Sequence, residues 1–509
     1  MARGKAAIHL DLPCPPGLAD GSAPFKQDCI SDALREAILN KLLPAGTWLP
    51  STRTLALRWG VARGTVEASF ERLCAEGYIC RTQGSGTRVS AVVPDSYLAA
   101  PKGAPRPAAR QRGAAAEGAA ASPFVPDNSV ESGVPFIARQ ADPSLLRMDK
   151  WKKHVMAGLS SASGAELGSP PLQGVTDLRA RIAEYLGKYR GIGCMADDVV
   201  ITTGIRHSID LVARTVLGPG HTVLVEDPGY RSALQLFKMA GAMTIDMPVD
   251  REGIDTSVLT RYPDASAAYV TPAHQSPLGV AMSLSRRLEL LDWARRNAAW
   301  VIEDDYDGEF GYQTAPLPAL KSLDIHDRVI YCGSFNKTLF SGLRVGFMVV
   351  PAALRASLFR VWHTTGRAVG VTEQFALAHL IESEEFARHL RASRHAYLMR
   401  RNAVFEQLLR HGQGRYTVSG EHAGFHFILW LEADRDEAAF VAQAAEHGLR
   451  LQPLHAFCRS VRLPPGVVIG YAALTLAQAR HAGKVLAQLL AHTDAARDGA
   501  SPRRVLSHC

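Results

Sequence analysis

The sequence predicts two folded parts of different class. The first is a small N-terminal winged helix-turn-helix module, and the second is an α/β domain on a mostly parallel sheet with helices on both faces. Three observations lead there. Residues 91–123, "AVVPDSYLAAPKGAPRPAARQRGAAAEGAAASP", hold 20 Ala, Pro or Gly among 33 and almost no large apolar side chain. A segment that buries so little cannot offset its ordering entropy, so it reads as a linker dividing the chain. Beyond it, short β-branched runs alternate with longer amphipathic stretches, which is the pattern of parallel strands connected by helices. Ahead of it, three helical periodicities run into a short basic hairpin pattern.

Composition agrees with a multidomain globular protein. A chain of 509 residues exceeds one ordinary domain. Hydrophobic residues make up 47% and charged residues 21%, and no run approaches the roughly 18 apolar residues of a membrane span. The start, "MARGKAAIHLDLPCPPG", lacks a sustained apolar core and carries Asp11, which argues against a secretory signal. The eight cysteines, at 14, 29, 74, 80, 194, 332, 458 and 509, contain no CxxC pair. Metal cages and disulfide frameworks therefore lack support, and the expected compartment is the reducing cytoplasm. Of the net charge of +8, most lies early: residues 1–113 hold 15 Lys or Arg against 9 Asp or Glu. That surplus permits a nucleic-acid partner without requiring one.

Residues 1–23 read as a flexible N-terminus and 24–90 as the small module. "QDCISDALREAILN" places Ile30, Leu34, Ala37 and Ile38 on one helical face. Ser51 is the expected N-cap of "STRTLALRW", and Gly60 closes that helix. In "ARGTVEASFERLCAEG" the face Val66, Phe70 and Leu73 is set for burial, leaving Arg63, Thr65 and Ser69 toward solvent. Two helices joined by a short turn, the second presenting its start outward, can enter a major groove. "YICRTQGSGTRVS" then reads as a wing with "QGSG" at its tip and Arg81 and Arg88 on its sides.

From 124 to 492 the α/β domain follows. "DVVITTG", "TVLVEDPG", "AAYVTPAHQ", "AAWVIEDDYDG" and "DRVIYCGSF" are its strands, with helices such as "SLSRRLELLDWARRN" between them. Residues 493–509 read as a disordered tail. Within the domain, "SFNKTLFSGLRVG" delivers Lys337 from a strand into a small-residue segment, with Arg344 seven positions on. Pyridoxal phosphate (PLP) chemistry needs a lysine for a Schiff base, a carboxylate for the pyridine nitrogen and an N–H-rich or cationic cradle for the phosphate. Asp304 ends an apolar strand in "VIEDDYDGEF", and Tyr306 can donate its phenol to the ring's 3-oxygen. The turn "ITTGIRHS" exposes the N–H groups of Gly204 and Ile205 at a helix start. Arg344 can fork onto phosphate oxygens, and Tyr230 in "EDPGY" can stack on a ring. Each element alone has an ordinary structural explanation, and it is their joint occurrence in this order that points to PLP.

"LPSTRTLALRWGVARGTVEASFERLCAEGYICRTQGSGT" resembles the winged helix-turn-helix of GntR-type transcription regulators. That resemblance implies DNA contacts from Arg53, Arg63, Thr65 and the Gln83–Gly86 turn, including Gln83, Gly84 and Gly86. Residues 124–492 resemble fold-type I aminotransferases. The resemblance implies that Lys337 is the Schiff-base lysine and Arg344 the phosphate arginine, with Ser334 among the cofactor-binding residues. It gives Asp304 and Tyr306 the pyridine and 3-oxygen roles, with Gly204, Ile205 and Tyr230 completing the cofactor site. The whole chain is similar to the MocR/GabR group, which implies a homodimeric, PLP-dependent regulator of double-stranded operator DNA, with no membrane partner. Its effector, PLP itself or an amine or amino acid, would be sensed through an aldimine at Lys337. The alternative is a PLP-dependent aminotransferase with an appended DNA-binding domain. Two departures stand out. Asn336 occupies the place of a usual serine, and "HQSPLG" at 274–279 that of the "NPTG" loop, with His274, Gln275 or Ser276 substituting for its asparagine. Around "LQPLHAFCRS", His455 and Arg459 are the candidate effector contacts, flanked by Arg450 and Arg462.

Overall fold

A computed structural model describes residues 12–15, 18, 26–82, 86–90, 134–138, 140–312, 318–366 and 368–491. The chain forms two compact units, Met1–Val125 and Pro126–Cys509. The linker expected at 91–123, the tail expected at 493–509 and most of 1–23 lie outside the described residues.

The first unit holds helices α1 (Lys26–Leu39), α2 (Thr52–Trp59) and α3 (Arg63–Ala75) and strands β1 (Trp48–Leu49), β2 (Ile79–Thr82) and β3 (Gly86–Val89). Ile30, Leu34 and Ile38 of α1 meet Val66, Phe70 and Leu73 of α3 in one core with Leu55 and Trp59 of α2. Burying side chains of this size stabilises by about 1.5–3 kcal/mol each, so the three helices define one body. Ser51 caps α2 by accepting from the Thr54 N–H at 3.1 Å, and Gly60 ends it at φ 63°. The wing pairs β2 with β3, and β1 adds to the other edge of β3 in the order β1-β3-β2. A two-residue strand is too short for periodicity to reveal. One expectation is corrected here: Ser69 is fully buried, its hydroxyl donating to the Gln27 carbonyl at 3.0 Å and the Thr65 carbonyl at 2.9 Å. It fastens α3 to the start of α1 and is not a solvent-facing residue.

The second unit is built on an eight-stranded sheet of β4 (Val199–Thr202), β5 (Thr222–Asp227), β6 (Met243–Asp250), β7 (Gly253–Ile254), β8 (Ala267–Val270), β9 (Trp300–Asp305), β10 (Val329–Ser334) and β11 (Gly346–Val349). Their order is β4-β11-β10-β9-β8-β5-β6-β7. Six strands run one way, while β11 is antiparallel to both neighbours and β7 is antiparallel to β6. Its helices are α4 (Met148–Ser161), α5 (Gly164–Gly168), α6 (Thr176–Arg190), α7 (Ile205–Val216), α8 (Arg231–Met239), α9 (Leu284–Arg296), α10 (Phe335–Thr338), α11 (Ala352–Thr365), α12 (Val371–Glu382), α13 (Glu385–His411), α14 (Glu437–Glu446) and α15 (Leu476–Ala491). A second, antiparallel sheet of β12 (Thr417–Ser419), β13 (His426–Trp430), β14 (Gln452–Pro453) and β15 (Gly466–Gly470) has the order β12-β13-β15-β14.

Both faces of the large sheet are covered, as a parallel sheet requires. Val200, Ile302 and Met348 pack with Leu211 of α7, Phe237 of α8 and Trp362 of α11. The alternate residues face the other way: Ile201, Tyr331 and Phe347 meet Leu178 and Ile182 of α6, and Val301 meets Leu290 and Ala294 of α9. The same alternation divides the acidic end of β9. Glu303 and Asp305 lie on the α6 side, and the Asp305 carboxylate accepts from Arg190 Nε at 2.8 Å and from the Tyr331 hydroxyl at 2.7 Å. Arg190 and Asp305 are each about 1% exposed. Removing one partner strands a buried charge at a cost of roughly 3–5 kcal/mol. Arg190→Ala is therefore expected to lower the unfolding free energy of this unit by about that much in chemical denaturation, and a loss below about 1 kcal/mol, the size of an exposed pair, would contradict the account.

Candidate functional site

The six parallel strands end on one edge of the sheet, where ligands collect in α/β folds. From that edge come the turn after β4 with Gly204, the β5 end at Glu226–Asp227 followed by Tyr230, the 274–279 loop after β8, Asp304 on β9, and Ser334 and Lys337 at the β10–α10 junction.

Asp304 faces away from Asp305 and is buried. Its Oδ2 accepts from the Tyr269 hydroxyl at 2.5 Å, while Oδ1 is buried with no hydrogen-bond partner. Burial pushes this carboxyl up to about 7, against the Tyr269 bond and with help from Asp305, Asp307 and Glu226. A buried carboxylate with an open oxygen is what a protonated pyridine nitrogen would satisfy.

Gly204 sits at φ 113° as the cap residue of α7, with no side chain capping the helix. A Cβ there would stand 2.9 Å from Asn336 Nδ2. Gly346, the last residue of "SFNKTLFSGLRVG", pairs with Thr202 in the ladder, and its own Cβ would lie 2.8 Å from Gly204 Cα. Two glycines thus let β11 close on the turn and leave the α7 N-terminus as a bare N–H cradle suited to a phosphate. Ser334 is buried at the end of β10, its hydroxyl accepting from the Asn336 N–H at 3.2 Å. Asn336 Oδ1 accepts from the Val345 N–H at 3.1 Å, so the amide in the usual serine position braces the loop that carries Arg344. Arg344 itself is exposed, in the left-handed region at φ 55°. Lys337 is half-buried one turn into α10. Tyr230 is half-buried at the start of α8, and its hydroxyl accepts from Arg206 Nε of α7 at 3.2 Å. These residues fit PLP: an open buried carboxylate, a side-chain-free helix start and an amine carried between them.

The 274–279 loop divides its three candidates. Gln275 is occupied by the β5 end and its own loop, donating to the Pro228 carbonyl at 2.8 Å and to Glu226, and accepting from the Leu278 N–H at 3.0 Å. Ser276 begins a cis bond to Pro277. His274 reaches the Tyr306 hydroxyl, Nδ1 to oxygen 3.2 Å, and pairs with Asp307 at 2.8 Å. Sequence reasoning did not find Tyr269, Asp307 or Gly346 as site residues. Tyr269 pairs across to Ile302, two residues before Asp304 on the same face, which only the β8–β9 register reveals.

The expected effector contacts are held by neighbours. His455 Nδ1 pairs with Glu437 at 2.8 Å. Arg459 donates to Asp246 at 2.7 Å and to the Glu226 carbonyl at 2.7 Å, while Asp227 accepts from the N–H groups of Arg459, Ser460 and Val461. Arg450 and Arg462 are exposed. Among the described residues no group of three or more His, Cys, Asp or Glu is arranged to hold a metal, and no helix is long and apolar enough to cross a membrane.

In the first unit, Arg53 and Arg63 are exposed at the starts of α2 and α3, Thr65 is half-buried and Gly86 exposed. Gln83 and Gly84 lie outside the described residues. Glu67 of α3 pairs with Arg81 of the wing at 2.8 Å, and Arg88 lies 5.9 Å from the Trp48 ring centroid. The Glu67–Arg81 pair thus ties the helix to the wing, and Arg53, Arg63 and Arg88 are exposed cations of the kind that contact phosphates.

A winged helix joined to a PLP-type α/β fold defines a class of DNA-binding transcription regulators. Residues 26–89 match the family described as bacterial regulatory proteins, gntR family, and residues 140–486 match aminotransferase class I and II. The chain is 33% identical over 462 residues to the probable rhizopine catabolism regulatory protein MocR of Rhizobium meliloti, covering 89% of this chain and 91% of that one. It is 30% identical over 446 residues to the pyridoxine biosynthesis regulator PdxR of Corynebacterium glutamicum, covering 87% and 91%. The fold matches a kynurenine aminotransferase of Pyrococcus horikoshii at TM-score 0.65 and 26% identity, over 71% of this chain and 91% of that one. The chain belongs to the MocR group of GntR-type transcription regulators.

Two outcomes follow. Glu226, Glu303, Asp304 and Glu309 are each pushed up to about 7, chiefly by burial. An unfolded chain releases these protons near pH 4, so between about pH 4.5 and 7 the folded protein holds more protons and loses stability as pH rises. Denaturation of cofactor-free protein should show that fall, and Asp304→Asn should make it shallower. In the reader, Arg63→Ala should weaken operator binding and reduce the salt slope of log K by about 1 without altering PLP uptake. Unchanged affinity in a salt titration would remove Arg63 from the interface.

Proposed function

We propose that the second unit binds PLP at Lys337 and that the protein changes its hold on operator DNA in response to an amine, an amino acid or PLP itself. The observation that carries this is the buried, open Oδ1 of Asp304 on the same sheet edge as the bare α7 N-terminus and Lys337. When bound, PLP supplies an aldehyde that captures primary amines reversibly, so its chemistry suits a sensor as well as a catalyst.

This chain's residues divide the work by position. Asp304 holds the ring nitrogen's proton, with Tyr269 fixing the carboxylate's orientation from the next strand. The N–H groups at Gly204 and Ile205, the Ser334 hydroxyl and the Arg344 guanidinium hold the phosphate, and Tyr306 donates to the 3-oxygen. Tyr230, steadied by Arg206, covers the ring. Lys337 would provide the amine that anchors the cofactor's aldehyde, the group for which a ligand amine would compete. Such competition shifts DNA binding only if the ligand favours one arrangement of the protein over another. By resemblance the regulator is a cytoplasmic homodimer, whose two readers would take a two-half-site operator.

Two measurements test this reading. Adding PLP should give a visible absorption band and a borohydride-fixable adduct, both lost in Lys337→Ala while operator binding of the cofactor-free protein is retained. A fixed adduct surviving in that variant would overturn the assignment of Lys337. Titrating amino acids and amines with a 2-oxo acid present should change the band and the operator affinity without continuing product. Sustained turnover with no change in operator affinity would make the unit an aminotransferase instead.

A further inference from the structure

His274 lies outside the set of groups that hold the cofactor, yet it is among the most enclosed side chains near the site, about 1% exposed. Its two ring nitrogens both face acceptors. Nδ1 stands 2.8 Å from Asp307 Oδ2, and Nε2 stands 3.2 Å from the Gly420 carbonyl of the turn after β12. Acceptors on both nitrogens are compatible with both carrying protons, which makes the ring a cation. Burial works against that charge, but the Asp307 carboxylate and the Gly420 carbonyl together raise the imidazole above its usual value, while burial also raises the Asp307 carboxyl.

Three glycines with positive φ enclose the pair. A Cβ on Gly424, at φ 74°, would lie 2.4 Å from Asp307 Oδ2 and 2.4 Å from His274 Cε1. One on Gly279, at φ 72°, would lie 2.9 Å from His274 Nε2, and Gly420, at φ 76°, packs directly on Gly279. The other titratable groups facing the imidazole are His426 and His422, with ring centroids at 5.2 and 6.0 Å, and Tyr306 at 6.3 Å.

Tyr306 connects this pair to the cofactor site. Its hydroxyl is 3.2 Å from His274 Nδ1, the nitrogen that Asp307 Oδ2 meets at 2.8 Å, and a Tyr306 hydrogen bond favours the ionised Asp307, whose Oδ1 is buried with no partner. A phenol has one proton to donate. If Asp307 takes it, the 3-oxygen of PLP loses its donor. A cation against Asp307 weakens the carboxylate's claim on that proton.

We propose that the His274–Asp307 ion pair is a positioning pair that leaves the Tyr306 hydroxyl proton available to the cofactor's 3-oxygen. The proposal rests on the PLP reading of the site, since without PLP the direction of that proton has no consequence there. It assigns His274, among the three residues that stand in for the loop asparagine, an indirect role through Tyr306.

The test follows the visible band of the PLP-loaded full-length protein across pH in wild type, Tyr306→Phe, His274→Gln, Asp307→Asn and the doubles. His274→Gln should move the band's pH midpoint in the same direction as Tyr306→Phe, by about one pH unit, a tenfold change in proton affinity. Adding His274→Gln to Tyr306→Phe should change little, because the hydroxyl it acts through is gone. Asp307→Asn in the His274→Gln background should return the midpoint toward wild type, by removing the competing acceptor. An additive double with Tyr306→Phe, or a His274→Gln midpoint equal to wild type, overturns the proposal. If His274→Gln does not fold, as judged by circular dichroism, the near-isosteric Asp307→Asn decides alone. Its midpoint should not move in the Tyr306→Phe direction, and a shift that way overturns the proposal. A wild-type protein that gives no visible band with PLP would instead remove the underlying reading of the site.

Discussion

Two neighbouring carboxylates that face opposite sides of one strand set the arrangement of the large unit. The pleat of β9 turns Asp305 toward α6, where Arg190 pairs with it and the Tyr331 hydroxyl donates to it, and turns Asp304 toward Tyr269, where one oxygen stays open. The first fixes a helix to the sheet. The second leaves a buried oxygen that no hydrogen bond among the described residues satisfies. A structural carboxylate and a candidate cofactor-binding one are thus separated by a single step of the β period. The same step explains why a run as acidic as Glu303–Asp305 is tolerated in a parallel sheet, since Glu303 is held by the Leu320 and Lys321 N–H groups on the side away from Asp304.

Close backbone approach is the other recurring device. Gly346 against Gly204 brings an antiparallel strand beside the turn after β4, and Gly279 against Gly420 brings the C-terminal sheet beside the loop after β8. In both places the absence of a side chain lets two segments meet at the carboxyl edge of the sheet. The site is framed by these contacts, and charged groups fill in afterward.

Much of this was legible in the sequence. Lys337, Asp304, Tyr306 and the Gly204 turn lie at strand ends, and strand ends are marked by the change from β-branched runs to small or polar residues. The helices of the reader followed from periodicity and caps, as Ser51 and Gly60 show. What escaped depended on partners distant in sequence. Tyr269 reaches Asp304 only through the β8–β9 register, and Gly420 reaches His274 across nearly 150 residues. Ser69 looked like a surface residue because a serine at that spacing is ambiguous until its backbone acceptors are known. The strands β1 and β7, two residues each, leave no periodic trace.

The loop carrying Arg459 is tied to the sheet edge through both its side chain and its backbone. Its guanidinium is shared between Asp246 and the carbonyl of Glu226, and its backbone is hooked onto Asp227. A cation held in that way is in reserve. Loss of the Asp246 carboxylate would leave that guanidinium on the Glu226 carbonyl and 4.0 Å from Asp227, with one partner fewer and its backbone still anchored.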